Sequence, residues 1–129
     1  MKKIDWKPEY SVQNAVLDKQ HRGLLDLYNQ TVEKYDVGDD MYDVFEALAN
    51  YIAEHLESEE ALMREKNFAR YLAHKKEHDS FRTRVMDLMV QYNNESPLVK
   101  SRLGWFISDW LKTHIFSETS EDQSYKGLL

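Results

Sequence analysis

Residues 71–92 read YLAHKKEHDSFRTRVMDLMVQY. Within them Tyr71, His74, His78, Phe81, Val85, Leu88 and Tyr92 step by three and four in strict alternation, the period of one face of an α-helix. The same stepping continues on either side. Upstream, Leu17, His21, Leu24, Tyr28, Val32 and Tyr35 form a first series, closed by Asp36-Val37-Gly38-Asp39-Asp40. A second runs Phe45, Leu48, Ile52, His55, Glu59, Leu62. Downstream, after Asn93-Asn94 and a first-turn proline at Pro97, Leu103, Ile107, Trp110 and His114 form the fourth. Four helices of about 20 residues, each near 30 Å long, with short connections predict an all-α, up-down-up-down four-helix bundle. The N-terminal dozen residues, with Trp6 and Pro8, are expected to lie on it as an extended arm, and residues 1–129 to make a single domain.

Composition narrows the chemistry. The chain has 129 residues, four glycines, two prolines and no cysteine. So few turn residues disfavour a β-sandwich, and the missing thiols exclude zinc fingers of the cysteine type, cysteine-ligated iron–sulfur clusters, thiol nucleophiles and disulfide scaffolds. A net charge of -6 without a basic run disfavours nucleic acid as a partner. Residues 1–10, MKKIDWKPEY, carry no apolar run of a secretory signal, and no window approaches a membrane span, so a cytoplasmic protein with no membrane association is expected. No serine–histidine–acid arrangement and no glycine-rich phosphate loop is legible.

The five histidines are the informative residues, because all of them fall on the apolar seams. Burying an imidazole without a partner costs about 1 to 3 kcal/mol, and five such burials would rival the ~5 to 15 kcal/mol stability of a whole domain. A metal compensates them directly. His55 and Glu59 are spaced one turn apart on one helix, and so are His74 and His78, with His21 and His114 added from the first and fourth helices. Neither spacing is specific alone; Glu57, Glu60 and Glu65 are read as ordinary solvated glutamates. Five nitrogens exceed a tetrahedral zinc site, whereas two metals divided three histidines to two accommodate them, and nitrogen–oxygen ligands with an open position suit iron. The carboxylate-rich ferritin type, with paired Glu-x-x-His motifs, fits less well.

With these motifs the sequence resembles the bacterial hemerythrins, the oxygen-binding di-iron four-helix family. The resemblance rests on Trp6, Asp18-Lys19-Gln20-His21, the run from His55 to Met63 (HLESEEALM), His74 with His78, and Trp110-Leu111-Lys112-Thr113-His114-Ile115. It implies two iron ions, Fe2+ or Fe3+, with an oxo or hydroxo bridge: one on His74, His78 and His114, the other on His21 and His55, and Glu59 between them. It also implies a dioxygen pocket lined by Leu111 and Ile115 with Trp110 nearby.

One feature departs from the family pattern. A second bridging aspartate belongs five residues after the last histidine, followed three residues later by tyrosine, but that position is Thr119. Two alternatives remain. Asp122 keeps Asp-x-x-Tyr with Tyr125 but would lie about 12 Å along an unbroken helix from His114, while Glu118 would lie about 6 Å away. Glu118 bridges if the helix continues, Asp122 if the chain bulges, and if neither does, water completes the shell; Glu121 is two turns beyond His114.

The expected function is reversible dioxygen binding for storage, transport, scavenging or sensing, without enzymatic turnover, with a redox or signalling protein as a separate partner. The alternatives are a di-iron redox enzyme acting on peroxide or nitric oxide or donating iron, and an interaction module whose histidines bind zinc or nothing.

Overall fold

The computed structural model describes residues 1–117, 120–124 and 126–128, with nothing said of the side chain of Glu121. The described residues form helices α1 (Ala15–Val37), α2 (Tyr42–Tyr51), α3 (Glu57–Glu65), α4 (Tyr71–Asn93), α5 (Val99–Trp110) and the short α6 (Glu121–Ser124). A π-helical segment, Ile52–Leu56, joins α2 to α3 without a break, and a second, Leu111–Phe116, extends α5. The chain is therefore the expected bundle of four rods. α1 packs on α2 and α5, while α4 packs on α2, α3 and α5. Among the described residues no helix is long and apolar enough to cross a membrane.

Local chemistry sets the ends of the rods. Asn14 caps α1 by accepting the Leu17 N–H at 3.1 Å. Gly38 ends it in the left-handed region at φ 72, which a glycine adopts without Cβ strain. Pro97 does not open a helix; Leu98, at φ 67, intervenes and α5 begins only at Val99. Tyr35 also departs from its seam. It is 43% exposed, because a 3/4 stepping drifts around a 3.6-residue helix and the last turn of α1 has little beyond it to pack on.

Leu17, Met41, Leu48, Leu56, Leu88, Leu103, Ile107 and Leu111 are fully enclosed between the rods. Each such side chain contributes about 1.5 to 3 kcal/mol by leaving water. Because neighbouring rods run in opposite directions, the start of α1, the end of the α2–α3 rod, the start of α4 and the end of the α5 rod all meet at one end of the bundle. The histidines occupy those four places.

Residues 1–14 lie along the bundle as an arm with one 3-10 turn, Pro8–Tyr10. Ile4 exchanges two hydrogen bonds with the Asn29 side chain, and Tyr28 Oη donates to the Lys2 carbonyl. Tyr10 stacks on Phe116 at 3.9 Å, Trp6 meets both rings edge-on, and the Arg22 guanidinium sits 4.6 Å over Trp6. The arm also holds the C-terminal segment: Gln123 Nε2 donates to the Tyr10 carbonyl at 2.8 Å and Gly127 N–H to that of Val12 at 3.1 Å.

Candidate metal centre

All five histidines are buried, none more than 4% exposed, and with them Glu59 and Asp122 at 0%. His21 comes from the second turn of α1, and His74 and His78 from adjacent turns of α4. His55 and His114 are each carried on a π-helical segment, where the wider turn inserts a residue and re-aims the side chains that follow. Glu59 follows one turn later, on α3. Asp122 arrives by a chain reversal: helical structure ends at Phe116, Ser117 is extended at ψ 142, and α6 brings the carboxylate back. Ser120 Oγ ties this return to the Ile115 carbonyl at 3.1 Å. The helix breaks, so the distance argument against Asp122, which needed an unbroken helix, does not apply. Glu118 lies outside the described residues, as does Tyr125.

The nitrogens and carboxylates converge. Glu59 Oε1 lies 2.5 Å from His74 Nε2 and 3.2 Å from His78 Nε2, while its Oε2 lies 3.2 Å from His55 Nε2 and 3.8 Å from His21 Nε2. Asp122 repeats the pattern, with Oδ1 3.3 Å from His74 Nε2 and 3.2 Å from His114 Nε2, and Oδ2 2.9 Å from His21 Nε2. Each carboxylate thus turns one oxygen to each half of the site. Two buried ligand groups result, Glu59 with His74, His78 and His114, and Glu59 with His21, His55 and Asp122, each with its ligand atoms within 4.8 Å of one another.

This geometry fits metal ions better than hydrogen bonds among the groups themselves. His21 Nε2 faces His55 Nε2 at 3.1 Å, the separation of two imidazoles bound at right angles to one ion by bonds of about 2.1 Å. His78 Nε2, His114 Nε2 and Glu59 Oε2 are buried among polar atoms without hydrogen-bonding alignment. That is the arrangement of donors aimed at a common centre rather than at each other.

Charge is the other half of the fit. Burial disfavours the imidazolium at His21, but Asp122 and Glu59 outweigh it and lift the pKa to about 9. His74 is lifted against burial to about 10 by the same carboxylates, and His114 to about 9 by Asp122 and Glu77. At His55 burial prevails and the pKa falls. Burial would raise Glu59, but His21, His55 and His74 hold it well below the carboxylate range. Asp122 is likewise held low by His114 and His21, against burial and the charge of Glu59. Two buried anions here demand positive charge, which protons or metal cations supply.

Outer partners fix the imidazoles with Nε2 inward. His55 Nδ1–H donates to Gln20 Oε1 at 2.6 Å, His78 Nδ1–H to Glu60 Oε2 at 2.8 Å, and His114 Nδ1–H to Glu77 Oε2 at 2.8 Å. Glu60 is 7% exposed and also accepts from Arg82 Nη2 at 2.7 Å, so it is not the solvated glutamate expected from its helix position. Its neighbours Glu57 and Glu65 are exposed. Gln20, Glu60, Glu77 and Arg82 carry no sequence motif; Arg82, one turn after His78, is the only hint.

Residues 13–124 match the profile described as the Hemerythrin HHE cation binding domain. The chain belongs to the hemerythrin family. Among hemerythrin relatives, a bacteriohemerythrin of Aquifex aeolicus is 36% identical over 112 residues, covering 81% of this chain and 82% of its own. One from Methylococcus capsulatus is 29% identical over 109 residues, 83% of each chain. One from Clostridium acetobutylicum is 26% identical over 127 residues, covering 90% of this chain and 95% of its own. Hemerythrin membership and the buried histidine–carboxylate cluster together indicate a non-haem metal site of the di-iron kind. In this hemerythrin, Leu111 and Ile115 are fully buried beside His114, and the Trp110 ring stacks on His114 at 3.8 Å.

Proposed function

We infer that the chain binds dioxygen reversibly at two iron ions held by His21, His55, Glu59, His74, His78, His114 and Asp122. The observation that carries this reading is the pair of ligand groups sharing Glu59, three nitrogens in one and two in the other. Iron bound there supplies the electrons that dioxygen takes up on binding and returns on release. The residues do the rest. Glu59 and Asp122 span the two positions, and Gln20, Glu60 and Glu77 hold the imidazoles in one tautomer. Leu111, Ile115 and the Trp110 ring enclose the ligand side in apolar surface, which keeps water and protons from reaching it. The names of the bacteriohemerythrin relatives support the same reading.

Anaerobic iron loading followed by exposure to air tests it. The expected result is about two irons per chain and a new charge-transfer absorption that disappears under vacuum. Oxygen consumed with turnover instead of released would make the chain a redox enzyme. Absence of iron uptake would leave an interaction module.

A further inference from the structure

Tyr51, on the last turn of α2, is 9% exposed and stacks on His55 at 4.9 Å with an interplanar angle of 24°. Its hydroxyl oxygen accepts the Trp110 Nε1–H at 3.2 Å. The hydroxyl proton has no acceptor among the described residues. A buried donor without an acceptor is costly and uncommon, so this one points to a lone pair that the protein itself does not provide.

Two further observations place that lone pair on a ligand. The group containing His21 and His55 brings two nitrogens where the other brings three, so the position left for an outside ligand falls on the half that Tyr51 stacks against. A groove of about 740 Å³ also runs between α1 and α2, past Gly23 and Asn50, to Tyr51 and His55. At Gly23 even an added Cβ would meet nothing within 4 Å. No other wall offers a proton: the Trp110 N–H is spent on Tyr51, while Phe81, Leu111 and Ile115 have none to give.

We propose that Tyr51 determines ligand specificity, its O–H donating a hydrogen bond to a small anion bound at the two-histidine half of the centre. Neutral diatomic ligands, poorer acceptors, gain less from it. The Trp110 N–H fixes the phenol oxygen so that its proton turns toward the centre. This rests on the metal-centre reading above.

Azide is the probe. Parent and Tyr51→Phe are loaded with iron, oxidised in air, assayed for iron, and titrated with azide by absorbance. Both should hold equal iron, with azide bound about tenfold or more weakly by Tyr51→Phe and its charge-transfer band shifted. Equal affinities and an unmoved band overturn the proposal alone; a parent that takes up no iron overturns the metal-centre reading and the proposal with it. If the bare Trp110 N–H keeps Tyr51→Phe from folding, the comparison passes to Trp110→Phe against Tyr51→Phe/Trp110→Phe. The double variant should again bind azide the more weakly, and equality there overturns the proposal.

Discussion

Asp122 Oδ2 lies 2.9 Å from His21 Nε2, joining the C-terminal turn of the chain to its first long helix across the whole sequence. The contact exists because the fourth rod stops at Phe116 and reverses. Asp122→Ala should therefore lower iron content toward one per chain or less and abolish any coupled di-iron spectrum, whereas Glu118→Ala should leave both unchanged. Iron counting with electron paramagnetic resonance on the two variants decides this; loss in Glu118→Ala would transfer the role.

Glu60 supports His78 from outside and is itself held by Arg82. Glu60→Ala frees the imidazole to turn and leaves Nδ1–H buried without an acceptor. The expected cost is about 1 to 3 kcal/mol in folding stability and about 10- to 100-fold in metal affinity. Urea unfolding of the metal-free variant and chelator competition of the loaded one measure the two effects separately. Glu57→Ala, on an exposed position, is the control and should change neither.

Stability of the metal-free chain should fall as pH rises. His21, His74 and His114 have pKa values lifted to about 9, 10 and 9, against about 6.5 for unfolded histidine. A group with a raised folded pKa contributes its full stabilisation below the unfolded value and loses it as pH climbs through the folded one. The decline therefore spans pH 6.5 to about 10. At the acid end Glu59 and Asp122, held low in the fold, lose theirs as pH falls below about 4. Urea midpoints across this range in the presence of chelator check the profile, and one that is flat above pH 6.5 would mean neutral imidazoles.

Gln123 ties the turn that carries Asp122 to the arm and to the π segment, donating to the carbonyls of Tyr10 and Ile115 at 2.8 and 3.3 Å. Gln123→Leu removes both bonds without touching a ligand. Metal release to a chelator should quicken by up to about tenfold, the loss of one ordinary hydrogen bond. An unchanged release rate would show that the packing of Tyr10 on Phe116 suffices to hold the turn.

Much of this architecture is written in local spacing. The seam from Tyr71 to Tyr92 specifies a straight amphipathic helix, and that helix, α4, is undistorted over its length. His21, His55, His74, His78, His114 and Glu59 stand out because a polar residue on an apolar stripe contradicts its surroundings. Glu60 offers no such contradiction: it follows Glu59 in a run of charge, and only the approach of α4 shows that it faces inward. Gln20 and Glu77 are hidden for the same reason, since a partner for Nδ1 is chosen by tertiary contact. The two π segments leave no trace in a three–four pattern, which tolerates one extra residue. Asp122 was legible as Asp-x-x-Tyr and obscured by the assumption of a continuous helix.

The π segment Ile52–Leu56 makes chain length a determinant of the centre. A residue taken out within it, Ala53 for instance, would let the rod close to a plain α-helix and turn Glu57–Glu65 by about 100° relative to Tyr42–Tyr51. Glu59 would swing off the histidines, although every ligand would still be encoded and each helix would still form. Such a deletion would separate folding from metal capture more cleanly than any side-chain replacement.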